Sequence, residues 1–175
     1  MRLAIYNFGM FRDRAESQSN QGFRDRELAN LDAVERAPGF IGRAGYAGEV
    51  DRESWGMQVY PRFYIERGDG FAPSTLSLWV DLESLMAFTC SGVHAEAMRR
   101  ASEWFLPKSW PPYVLWWVSE GHLPDWREAV TKFELLHDRG PASDAFTFKS
   151  PFDAKGRAYR VDLEKVRRRA AGGAI

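Results

Sequence analysis

Thr75-Leu76-Ser77-Leu78-Trp79-Val80-Asp81 runs straight into Leu82-Glu83-Ser84-Leu85-Met86-Ala87-Phe88-Thr89, and at that junction the reading changes from strand to helix. Leu76, Leu78 and Val80 face one way; Ser77, Trp79 and Asp81 face the other. Working back from this strand, residues 47–73 are broken up by Gly48, Gly56, Gly68 and Gly70. Pro61 argues against a central strand there, so the segment reads as an insertion, either an edge hairpin or a lid. Before it comes a short strand from Phe40 to Tyr46. A helix over about 22–36 precedes that, with Phe23, Leu28, Leu31 and Val34 near helical spacing and Pro38-Gly39 as its stop. The polar residues 11–21 form a loop, and 2–10 is a strand. In that strand Leu3 and Ile5 alternate with Ala4, Tyr6 and Phe8, the pattern of burial on both faces.

On the other side, Ser91-Gly92 interrupts the helix, which resumes from Val93 to Phe105. Pro107, Pro111 and Pro112 exclude helix between them, and Tyr113 to Ser119 is an apolar strand. An amphipathic helix is predicted over 124–138, a short last strand over Ala145–Phe148, and a charged helix from about 160. The order is βαββαβ, an α+β, ferredoxin-like antiparallel sheet. The domain is placed at residues 1–151 and a basic tail at 152–175. A four-stranded sheet with helices on one side has a second face, here expected to carry Trp79 and one of Trp116 or Trp117. A bare apolar face needs a cover, and a homodimer through the sheet face is the expected one.

With 175 residues the chain suits one domain. No apolar run reaches the roughly 20 residues of a membrane span, and residues 1–6 do not read as a secretory signal. The default expectation is a cytoplasmic protein. Lone Cys90 excludes an intrachain disulfide and a Cys-rich zinc site. Formal charge is zero, which argues against a global nucleic-acid field, but residues 152–175 carry +4 and the rest −4. Neither nucleic acid nor membrane is an expected partner. Arg167-Arg168-Arg169 reads as a solvated helix face. The 25 aromatic residues are too many to leave on a surface, and must line a core or a pocket.

Three stretches together resemble the DUF3291 family. These are Leu76 to Leu85, Ser91 to Phe105 and Tyr113 to Pro124, with Asp144-Ala145-Phe146-Thr147-Phe148 matching the family's end. The resemblance covers about residues 2–148 and implies the dimeric α/β-barrel superfamily. That superfamily includes cofactor-free monooxygenases of polyketide biosynthesis, haem-binding enzymes and small-molecule isomerases. Residues 47–73 look longer than the family's usual connection, and residues 149–175 lie past its end.

Candidate chemistry centres on His94. It shares a helical face with Met98, Ala101 and Phe105, where an imidazole is placed to act as a general base or as an axial haem ligand. His122, between strand and helix, is the second candidate catalytic residue. Trp79, Trp104, Trp116, Trp117 and Met98 are candidate walls of a pocket for an aromatic substrate or a porphyrin. Arg43 is a candidate for a carboxylate or phenolate, and Asn7 for a substrate carbonyl. No metal-ligand spacing, P-loop, nucleotide-binding glycine motif or nucleophile elbow occurs. The expectation is a small-molecule enzyme without a cofactor, a monooxygenase or isomerase acting on an aromatic or polyketide-like substrate. The alternatives are a haem enzyme with His94 on the iron, or a non-catalytic dimeric binder of a hydrophobic ligand.

Overall fold

The computed structural model of the chain describes residues 1–46 and 48–172. Its centre is a four-stranded antiparallel sheet of β1 (Arg2–Phe8), β2 (Phe40–Arg43), β3 (Ser74–Trp79) and β4 (Tyr113–Val118), in the order β2-β3-β1-β4. Helices α1 (Gln21–Glu35), α2 (Leu82–Thr89) and α3 (Gly92–Trp104) fall between the strands; α4 (Trp126–Arg139) and α5 (Leu163–Ala170) follow β4. This is the ferredoxin-like α+β arrangement that the element order implies.

Local chemistry sets the boundaries. Asp81 caps α2, its carboxylate accepting from the Ser84 amide at 2.9 Å. Asp125 does the same for α4 from the Glu128 amide at 2.7 Å, and Asp162 caps α5. Gly39, at a φ of 83°, is required: a Cβ there would collide with Ser84 Oγ.

Both faces of β1 are buried. Leu3 and Ile5 lie with Trp79, Leu115, Leu82, Leu85 and Val34, under α1 and α2. Ala4, Tyr6 and Phe8 lie with Leu76, Leu78 and Trp116 on the opposite face. That face is not bare: α4 covers it with Trp126, Ala129, Phe133 and Leu136. Part of the 47–73 segment completes the cover, with Trp55, Tyr60, Phe63 and Tyr64 packed inward. Among its described residues the segment has no strand, so the edge hairpin is corrected to an irregular cover. Its rings replace a backbone ladder: Phe63 stacks on Trp110 at 5.4 Å and Tyr60 lies 4.6 Å from Tyr64.

The face assignment of the tryptophans also changes. Trp79 and Trp117 point toward the α1–α2 side, and Trp116 alone toward α4. The expected last strand at 145–148 shrinks to one bridge with the sheet, Leu115 with Phe146, flanked by the local bridges Ala142–Ala145 and Thr147–Ser150. The tail does form a helix, α5, and it packs on α2.

Candidate functional site

A cleft of about 210 Å³ opens where α1, α2, α3 and α5 meet. Ala33, Ala37 and Pro38 form the wall at the end of α1; Ser84, Ala87 and Phe88 come from α2. Ser91, Gly92, Val93 and His94 open α3, and Arg169, Ala170 and Gly172 close the last side. The lining is mostly apolar, with one imidazole and one guanidinium, and no Asp or Glu among the described residues.

His94 is held in a defined state. Its Nδ1 lies 3.1 Å from the Thr89 carbonyl oxygen, which can only accept, so Nδ1 carries the proton and Nε2 the lone pair. Nε2 has no hydrogen-bond partner among the described residues. The ring packs against Phe88, with centroids 5.0 Å apart. Burial lowers the imidazole's pKa below the ordinary 6.5, partly offset by the bond to Thr89. At neutral pH the ring is therefore a neutral base. The first amides of α3 lie beside it, with no side-chain cap from Ser91, and leave backbone donors at this end of the cleft.

The other expected site residues lie elsewhere. Trp79 is fully buried and bonded through Nε1 to Ser77 Oγ at 3.0 Å; it reaches the cleft only through Phe88, 5.4 Å away. Met98, one turn beyond His94, is 55% exposed and does not line the cleft, and Phe105 stacks on Phe11 instead. Trp104 is buried between α3 and α1, with Arg26 and Arg100 over its ring. Trp117 donates to the Phe152 carbonyl at 2.8 Å. Arg43 is buried and paired, with Glu49 and with Glu35 at 3.4 Å, so it is a structural ion pair and not a substrate anchor. Asn7 accepts from the Thr75 amide at 3.0 Å.

His122 belongs to a different layer. Its Nε2 meets Glu128 Oε2 at 2.6 Å, and the other oxygen of Glu128 accepts from Trp116 Nε1 at 2.8 Å. This set joins the end of β4 to α4, and brings neither His122 nor Trp116 to the cleft.

Haem does not fit beside His94. Nε2 has no partner among the described residues, but about 210 Å³ lies below the roughly 300–1,000 Å³ typical of ligand pockets, too little for a porphyrin to be seated in the cleft. Among the described residues no three His, Cys, Asp or Glu side chains are grouped to hold a metal ion. No helix among them is long and apolar enough to cross a membrane.

Sequence reasoning missed Arg169, which it placed on a solvated face. The side chain is only 13% exposed, and its Nη1 donates to Asp81 and Ser84. The available signal was spacing: Lys165 and Arg169 stand four apart after the Asp162 cap, on one helical face. Glu128 was missed as well, although it stands three residues after the cap Asp125.

The sequence matches the family described as a domain of unknown function (DUF3291) over residues 2–162. The chain belongs to this family. The match runs past residue 148, so the family domain includes residues 149–162, where the Phe152 carbonyl accepts from Trp117 of β4, and α5 begins just after it. No curated protein and no solved structure matches the chain. In this DUF3291 protein the cleft thus combines His94 of the family domain with Arg169 of a helix that follows it.

Proposed function

We propose that this protein is a small-molecule enzyme whose His94 takes a proton from a substrate held in the cleft. The observation that supports this most directly is the neutral imidazole, fixed through Nδ1, with an unpartnered Nε2 on an apolar wall. A base whose pKa burial holds below the ordinary 6.5 is mainly in its active form at neutral pH. The resemblance to the dimeric α/β-barrel superfamily, with its cofactor-free monooxygenases and isomerases, points the same way.

The chemistry follows from the groups present. A C–H bond beside a carbonyl gives its proton to Nε2, leaving an enolate and an imidazolium. The open amides at the start of α3 favour negative charge near the ring. Burial makes the imidazolium a willing donor, so the proton returns to another carbon and the product is an isomer. A monooxygenase would share the first step, with dioxygen meeting the carbanion. The volume selects a single ring or a short chain over a fused polyketide.

The test is solvent exchange. In heavy water, a panel of single-ring and short-chain enolisable ketones and phenols is followed by proton NMR for loss of C–H signal. Saturable exchange on at least one compound is expected, falling about a hundredfold or more in His94→Gln. Exchange that is equal in the variant would overturn the assignment of the base to His94, and binding with no exchange at all would replace the enzyme by the non-catalytic binder.

A further inference from the structure

We propose that Arg169 makes the cleft selective for a small carboxylate, a single ring or short chain seated with its anionic group on the guanidinium. This names the ligand class of the site above and rests on that reading only for the existence of the cleft. Arg169 is the one charged side chain lining it among the described residues, if neutral His94 is set aside. The guanidinium is half used. Nη1 donates to Asp81 and Ser84, while Nε and Nη2 have no partner among the described residues. The Nε–Nη2 edge is a planar two-donor fork that matches the two oxygens of a carboxylate.

The anchor explains why the cation stays. Asp81 divides its negative charge between Arg169 and Lys165 Nζ, the latter at 2.8 Å, and Lys165 also lies 3.9 Å from Glu83. Glu83 accepts from Tyr159 Oη at 2.8 Å and from the Asp162 amide at 3.1 Å, and it does not line the cleft. A cation held in place by Asp81 from behind, with apolar Phe88, Ala33 and Ala87 around it and no carboxylate in the described lining of the cleft, fits an anion with an apolar body. The cation comes from α5 at 163–170, just after the family match ends at 162.

Benzoate and benzamide, matched in shape and different in charge, are the probes, titrated against the full chain by ligand-observed NMR at pH 7.5. Benzoate should bind about tenfold or more tightly than benzamide. Arg169→Gln should bring benzoate down to benzamide while leaving benzamide unchanged, and Arg169→Lys should keep most of the preference. Ala87→Leu, which fills the cleft, should weaken both probes together. Equal binding of the two by the wild type would overturn the proposal. So would a loss of both probes alike in Arg169→Gln, the mark of a displaced wall, or saturable binding of neither. Benzoate selectivity without any solvent exchange would leave Arg169's role standing and remove only the enzyme reading.

Discussion

At His94 and Glu128 two hydrogen bonds decide which of two histidines is available for chemistry. His94 spends Nδ1 on a carbonyl and keeps Nε2 unpartnered among the described residues, on a ring that lines the cleft. His122 spends Nε2 on Glu128, a carboxylate that also satisfies the indole of Trp116, a side chain only 1% exposed. The second set is therefore read as a stabilising joint. Glu128→Ala would leave the buried indole N–H unpaired and should cost about 1–3 kcal/mol of unfolding free energy. Glu128→Gln keeps an acceptor for Trp116 and should cost less than half of that. Urea unfolding of the two variants checks this; equal and negligible losses would show that the joint contributes nothing.

Among the elements, α5 is tied to α2 through charge, by Lys165 and Arg169 on Asp81. Burial alone would raise the Asp81 carboxyl, but hydrogen bonds from Arg169, Lys165 and Ser84 outweigh it and hold it down to about 2. A carboxyl lowered on folding stabilises the fold above its ordinary 3.8, and that contribution is lost as pH falls from there toward 2. Asp81→Asn retains the helix cap and removes only the charge. It should lower stability at pH 7 by about 1–2 kcal/mol, flatten the acid dependence between pH 4 and 2, and speed amide exchange in α5. An unchanged acid limb, with α5 protected as before, would show that the two cations do not hold the helix. Local signals located this helix: the Asp162 cap and the run of charged residues at its end. What they did not disclose is its partner, because Asp81 is 88 residues away in the chain and nothing in a four-residue spacing reports such a distance.

For the whole molecule, the expectation of a homodimer through the sheet rested on an uncovered face. The chain covers that face itself, with α4 and the 47–73 segment on Tyr6, Phe8 and Trp116. That supplies the burial a second copy was expected to supply. The sheet was readable because its strands alternate or run apolar, and because the β3–α2 junction changes period at one residue. The cover was not, since an aperiodic segment of Trp, Tyr and Phe between glycines has no repeat to read. Its only trace was the aromatic content. For the site, His94 was legible from its place on a helix, whereas the wall it faces is built from four elements that meet only in the fold. Asn7, Arg43, Met98 and the remaining tryptophans were chosen for residue type, and their hydrogen bonds and packing commit them elsewhere.

The most direct test of the central claim is the ionisation and tautomer of His94, read from the nitrogen and carbon-bound proton shifts of its imidazole as pH is varied. The expected result is a neutral ring at pH 7, protonated on Nδ1, that titrates below 6.5 and is assigned through His94→Gln. A ring that is charged at pH 7, or that carries its proton on Nε2, would contradict it, since Nε2 would then have no lone pair with which to take a proton.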